Sequence, residues 1–394
     1  MSAMKITPRL AVTLTFIAFG MVFGGQVGAI PALKLQAGIN DFDFGVLTML
    51  AAVATIVAMS LGGYINRRFD HRSMLLFILP AIFIGFVLTL TAHSFLAMAI
   101  TWVALSFCGG TADLFMNAEA GIVEQNLKTP VYSSFHAAVL YAMGGAGFMS
   151  GYIAEHFGIM YSIVPAVPFV GAAIYAVHKA IPHQATQSQS TRKLNVALPI
   201  KILVLIGTVL GLDVAAELTC IQWSGQLLDH LRPDLAAYSG LGVGFYGLCT
   251  GTTRLFGDGL RSRFGDIPLV IVSLLVGLVG FIALSLQPNF AFSVGAFAIT
   301  GFGLGLIFPC MFSLAGHLVP EARAAALGLA SMISGPPRIL LPLLLGWIAQ
   351  THGLSSIYIA VAVGLVVAIG FTWWVALEMA KQKRVLVSQH PSHS

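Results

Sequence analysis

Apolar residues in this chain form long continuous runs, without the regular polar interruptions of a half-exposed helix or strand. The runs repeatedly reach the roughly 20 residues that carry a helix across a bilayer core. Breaks between them predict twelve spans, at 9–35, 43–66, 73–93, 95–118, 131–155, 158–180, 199–225, 238–260, 267–287, 290–316, 321–350 and 354–379. Asn40-Asp41 ends the first loop, Asn66-Arg67-Arg68 ends the second span, and Gln287-Pro288-Asn289 separates spans nine and ten. Continuous rather than alternating runs argue against a membrane β-barrel. The expected class is an all-α membrane protein.

Composition agrees. Of 394 residues, 57% are hydrophobic and only 9% charged, against about 25% charged in a soluble domain. The mean hydropathy is +0.89. Disorder is excluded by the abundance of apolar residues. The net charge of +5 is 20 Lys+Arg minus 15 Asp+Glu. These positives fall in short loops, so they speak for membrane topology and against nucleic-acid binding.

One set of loops carries Lys5, Arg9, Arg67, Arg68, Arg72, Lys128, Lys179, Arg192, Lys193, Lys201, Arg254, Arg261, Arg263, Arg323, Lys381, Lys383 and Arg384. The other carries Lys34 and Arg232, and Arg338 belongs to neither. Seventeen against two puts both termini in the cytoplasm, and an even number of spans agrees. The stretch Leu10 to Leu35 is too long for a signal peptide and reads as a retained first helix. Cys108, Cys220, Cys249 and Cys310 sit inside apolar runs with no CxxC or Cys/His spacing, so neither a metal site nor a disulfide is indicated.

The longest polar stretch lies near the middle of the chain, between Pro182 and Pro199. It divides the sequence into an expected N-terminal six-helix bundle (1–180), a cytoplasmic linker (181–198) and a C-terminal six-helix bundle with a short tail (199–394). The halves look related. Arg68-Phe69-Asp70-His71 follows span two and Arg263-Phe264-Gly265-Asp266 follows span eight, 263 − 68 = 195 residues later. Two parallel copies of six spans with a short basic loop after the second span of each resemble the major facilitator superfamily. In that family the loop's acid and arginines latch the cytoplasmic side. The resemblance implies gating roles for Arg67, Arg68, Arg72, Asp258, Arg261 and Arg263. Asn66 replaces the usual aspartate in the first copy, whereas Asp258 keeps the acid in the second.

Three stretches further resemble the fucose-permease branch and its uncharacterised bacterial relatives: 109–117 in span four, 308–314 in span ten and 217–224 in span seven, the last together with His136. In the fucose permease the span-four acid carries a proton and span one supplies a second acid. Here Asp113 matches the first, while span one offers only Gln26.

Ionisable groups at bilayer depth are costly, so each needs a partner or a water-filled cavity. Asp113 and Asn117 lie one helical turn apart on span four, on the face that also carries Glu124. Asp113 reads as a proton carrier with Asn117 holding substrate, or as a fixed strut. Glu124 belongs to the gate. Asp213 and Glu217 form a second such pair on span seven, and Arg338 lies on span eleven at a similar depth. Either Arg338 binds a substrate carboxylate or phosphate while the acids balance it, or the three form a structural salt bridge. The double proline Pro336-Pro337 is expected to unwind span eleven. His136 reads as a relay paired with Asp113 or Glu124, or as a packing histidine. Gln26 should face the cavity, with Gln222 in an outer vestibule and Tyr141 and Tyr246 supplying aromatic walls.

The leading functional expectation is a secondary transporter of a small polar solute, sugar-like or a small organic anion, coupled to protons through Asp113, Asp213, Glu217 and His136. Symport is favoured, and a proton-coupled exporter is the alternative. No nucleotide motif, clustered nucleophile or metal site points to an enzyme or a cofactor. The expected partners are substrate, protons and lipid, around a monomer.

Overall fold

The computed structural model describes residues 6–128, 131–183, 198–287 and 289–389. Among them every regular element is helical. Helix α1 (Pro8–Gly28) opens with Thr7 accepting the Leu10 amide and Pro8 in the first turn, the position where a missing N–H costs nothing. The predicted first span then breaks. Ala29 separates α1 from a short α2 (Ile30–Ala37), which Gly38 stops at a φ of +63°. Asn40 and Asp43 form a capping box that starts α3 (Asp41–Arg68). Asp70 and Ser94 cap α4 (His71–Leu90) and α5 (Phe95–Leu127). Helix α6 (Tyr132–Phe157) follows, then a 3₁₀ segment (Ile159–Ala166) around Pro165, then α7 (Val167–Ala180).

The second half repeats the order with α8 (Ile200–Leu231), α9 (Leu241–Phe264), α10 (Asp266–Leu286), α11 (Phe290–Leu304), α12 (Ile307–Leu318), α13 (Arg323–His352) and α14 (Leu354–Gln389). The predicted tenth span is thus two helices, α11 and α12. Span eleven needs a correction. Helix α13 runs unbroken through Pro336, Pro337 and Pro342, so the expected unwinding does not occur. Neighbouring helices hold this segment: Gly207 and Gly211 of α8 press onto Ala330, Ser334 and Pro337. Most of the expected linker, 184–197, lies outside the described residues.

Among the described residues, eleven stretches are long and apolar enough to cross a membrane. Helix α9 is long enough but too polar, because it carries Thr252, Thr253, Arg254, Asp258, Arg261 and Arg263. It packs between α6 and α11, while Phe245, Leu248, Leu255 and Phe256 are exposed on its outer face. Elsewhere the outward faces are oily: Phe77, Ile84, Val279, Val363 and Trp373 are exposed, as lipid requires.

Helices α1 to α7 pack chiefly on one another, as do α8 to α14, and the two groups meet along α6–α9 and α3–α13. Where α1 begins and α14 finishes is here the proximal end; the opposite end is distal. At the distal end α3 and α13 touch backbone to backbone. A Cβ added at Gly45 would stand 2.7 Å from Gly346 Cα and 2.9 Å from Pro342 O. At Gly335, near mid-depth, the contact is looser. A Cβ at Gly335 would meet nothing closer than Ile56, at 4.0 Å. Contact between α3 and α13 is therefore backbone-tight at the distal end.

Candidate functional site

Alternation of the helices brings charges from both halves to one depth. At 1.5 Å per residue, Asp113 lies about 21 Å from the proximal end of its helix and Arg338 about 22 Å, with Asp213 and Glu217 at about 20 and 26 Å. All four fall near the middle of a span.

The N-terminal contribution is one chain of hydrogen bonds. Asn117 Nδ2 donates to Asp113 Oδ1 at 2.8 Å, and the Tyr132 hydroxyl donates to Asn117 Oδ1 at 2.7 Å. The one-turn spacing of Asp113 and Asn117 makes the first bond. Tyr132, which the sequence did not single out, makes the second by standing at the start of α6.

On the C-terminal side the expected partner is wrong and a better one appears. Glu217 Oε1 accepts from Arg254 Nη2 at 2.6 Å, and Arg254 Nε reaches Gly305 O at 3.3 Å. Arg254 had been counted among the proximal loop charges. It is instead 17% exposed, as is Glu217, inside the bundle. Its removal from the count leaves sixteen against two. Arg338 does not form the expected bridge to Asp213 or Glu217. Its Nε is buried without a hydrogen-bond partner, and among the described residues no carboxylate lies within salt-bridge distance of it. It nevertheless stands within electrostatic reach of Asp113 and of Glu217. Asp213 is fully buried, and neither of its oxygens has a donor among the described residues.

The other candidates fall in different places. His136 packs edge-on against Phe16 and beside Tyr132, not on Asp113 or Glu124. Glu124 accepts the amides of Val131 and Tyr132 at 2.8 and 2.7 Å and so fixes the start of α6. Tyr246 is sealed in the core rather than on a cavity wall, lying behind Glu217 and Arg254. Tyr141 crosses the interface, its hydroxyl 3.1 Å from that of Thr252. Gln26 is buried, with Nε2 unpartnered among the described residues. Gln222 is half-buried, and its carbonyl accepts from Gln226.

Of the expected proximal latch, Asp258 spans the halves, accepting from Ser133 at 3.0 Å. Arg261 instead pairs with Asp266 and Asp258 of its own half. Arg72 donates to the His178 carbonyl, Arg68 lies over the Tyr64 ring and Arg263 over that of Phe264. The Arg67 side chain lies outside the described residues. Nearby, Asp70 caps α4 through the Ser73 amide at 3.1 Å and stands 3.3 Å from His183. Partial burial works the other way, but the Ser73 hydrogen bonds and the His183 ring together hold the Asp70 carboxyl below its ordinary value.

The distal end holds a clamp that sequence reading missed. Lys34 of α2 pairs with Asp41 of α3 and reaches across the halves to Gln226 Oε1 of α8. Its ammonium lies 5.4 and 5.8 Å from the ring centroids of Phe44 and Trp223. The Asp41 amide also crosses, donating to Gln350 of α13 at 3.1 Å. The seven-residue spacing of Lys34 and Asp41 around Gly38 was the available signal; Gln226, 192 residues away, left none.

Comparison with known proteins fits this geometry. The family model of the Major Facilitator Superfamily matches residues 202–392. An uncharacterised MFS-type transporter of Yersinia pestis is 24% identical over 367 residues, covering 91% of this chain and 93% of its own. Among solved structures, a mutant of the nucleoside transporter NupG superposes with a TM-score of 0.77 at 12% identity, over 94% of this chain and 100% of that one. A D-xylose–proton symporter does so at 0.73 and 16%, over 92% and 96%. A family match in the second half, a full-length relative of that type and a shared fold converge: this chain is similar to transporters of the Major Facilitator Superfamily along its length and is a multi-pass membrane transporter, not an enzyme.

Proposed function

We propose that the protein is a proton-coupled symporter of a small polar solute, working by alternating access in a bacterial inner membrane with both termini cytoplasmic. The N-terminal bundle (1–180) and the C-terminal bundle (199–394) act as the two rocking bodies, joined by the 181–198 linker. Asp113 is the proton carrier. The observation that carries this reading is that Asp113 from one half and Arg338 from the other stand within electrostatic reach at mid-depth. Groups so placed are reachable from one face at a time as the halves rock. Asn117, Tyr132 and Gln26 supply hydrogen-bonding capacity suited to a polar solute. The full-length MFS-type relative supports transport, and the sharing of a fold with a xylose–proton symporter is compatible with symport.

The test uses proteoliposomes holding a trapped pH dye, challenged with a pentose, a nucleoside, a hexuronate and a hydroxy acid. At least one solute should drive internal acidification. Asp113→Asn should abolish that acidification yet retain counterflow of the same solute. Solute-driven acidification that survives Asp113→Asn undiminished removes Asp113 from coupling. Internal alkalinisation on solute entry shows antiport and overturns symport.

A further inference from the structure

The mid-depth charges do not balance pairwise. Three acids (Asp113, Asp213, Glu217) share the region with two arginines (Arg254, Arg338). Glu217 is occupied by Arg254. Among the described residues, the Asp113 carboxylate accepts a side-chain hydrogen bond only from the neutral amide of Asn117. Arg338 has a buried, unpartnered Nε and no salt bridge among the described residues. A guanidinium stays charged at every physiological pH and presents a planar fork of donors that fits an oxyanion. Leaving one unpaired at bilayer depth is costly. The Arg338 side chain as a whole is only partly exposed.

Its surroundings explain what would hold it when no solute is present. Arg338 feels the charges of Asp113 and Glu217. Glu217 already has its cation, so Asp113 is the carboxylate free to attract Arg338. Asp113 in turn is faced by Arg338 from α13 and by Tyr132 from α6. Asp213 and Arg254 lie beyond Glu217, and His136 lies within reach of Arg254. Helices α1, α3 and α4 also pack on α5. Among the described residues none of them adds a charge acting on Asp113, and His71 of α4 is engaged by Glu119.

We propose that the solute is a small organic oxyanion bound by Arg338, and that ionised Asp113 competes with it for the same guanidinium. This rests on the mid-depth charges being the transport site. A proton from the open side adds to the Asp113 carboxylate, which then no longer attracts Arg338. The oxyanion of the solute takes its place on the fork. One proton and one monoanion cross together, so no net charge moves and the membrane potential does not drive the cycle. Proton binding precedes solute binding, because the anion gains a fully available partner only after Asp113 is neutralised.

Binding can be read without transport, on the full chain in nanodiscs, by ligand-induced thermal shift at pH 6 and pH 8. The probes are matched pairs: lactate and propane-1,2-diol, glucuronate and glucose, glucose 6-phosphate and glucose. The first two anions test carboxylate recognition and the third tests phosphate. At least one anion should stabilise the wild type where its neutral counterpart does not, with an apparent affinity about tenfold or more stronger at pH 6 than at pH 8. In Asp113→Asn that affinity should be tight and equal at both pH values. In Arg338→Gln it should fall about ten- to a hundredfold, with partial recovery in Arg338→Lys, whose ammonium keeps the charge but lacks the fork.

The proposal is overturned if no anion outperforms its neutral counterpart, if Arg338→Gln keeps the anion preference, or if Asp113→Asn keeps the pH dependence. If Arg338→Gln does not fold, the wild-type pairs and Asp113→Asn still decide. Acidification driven by a neutral solute would overturn the anion assignment and leave proton symport standing. Anion binding with no proton movement would do the reverse.

Discussion

Adding a single methyl at Gly346 should change which way this transporter faces. With the distal end closed, a Cβ there would stand 2.6 Å from Gly45 Cα and 2.8 Å from Asp41 O. Carbon atoms in contact sit about 3.5–4.0 Å apart, so α3 and α13 must separate by about 1 Å. Both obstacles are backbone atoms and cannot swing aside. Overpacking of this kind costs about 1–3 kcal/mol. The cost falls only on states in which the distal ends touch, so it biases the equilibrium toward distal opening by about 5- to 150-fold.

The assay is a distance distribution between spin labels on Phe42→Cys and Thr351→Cys, both exposed at the distal end, one on each half. The parent should show a short distance and Gly346→Ala an added longer population, together with slower proton-driven uptake. Gly370→Ala is the control, since a Cβ there meets nothing within 4 Å. An unchanged distribution and rate in Gly346→Ala would refute the view that backbone contact at this glycine pair seals the distal side.

Three other outcomes follow from local geometry. Lys34→Met removes the cation that Asp41 and Gln226 share across the distal end, and should lengthen the same label distance without altering helix content by circular dichroism. Glu217→Gln strands Arg254 without its counter-ion and should lower stability by about 3 kcal/mol, read as a fall in melting temperature in detergent; an unchanged melting temperature would show that solvent already screens the pair. Asp70→Ala should cost about 1 kcal/mol through loss of the α4 cap. Because the folded carboxyl titrates below its ordinary value, the ionised cap's contribution is complete at neutral pH. It disappears as pH falls through the folded value, below about 4, so the melting temperatures of Asp70→Ala and the parent should converge in acid.

The spans were legible because lipid imposes one length and one composition on any helix that crosses it. Contacts within a helix were legible too. Asp113 and Asn117, one turn apart, are hydrogen-bonded as their spacing implied. What the sequence concealed was pairing between helices. Arg254 looked like a loop charge because Arg261 and Arg263 follow it closely. Only packing of α8 on α9 reveals that it belongs to Glu217, 37 residues earlier. Lys34 and Gln226 are still further apart in the chain. The prolines of α13 misled for a related reason. Local sequence sees the lost amides, but not the neighbouring helix that supports the segment.

The same distinction separates fixed charges from those able to couple. Glu217 and Arg254 lie on α8 and α9 of one half. A rigid rotation of the halves leaves their separation unchanged, so that pair contributes equally to every conformation and drives none of them. Asp113 and Arg338 lie on α5 and α13, in opposite halves, and the same rotation alters their separation directly. A ligand shifts a conformational equilibrium only by interacting differently with its states. A proton on Asp113 or an anion on Arg338 meets that condition through the cross-half pair. The clamp at Lys34 and the glycine contact at Gly45 and Gly346 also cross the halves, about half a membrane thickness away. In the proposed cycle, rocking would therefore tie the charge state at mid-depth to the state of the distal seal without any intervening chain of side chains, and the geometry of rigid halves would itself be the coupling.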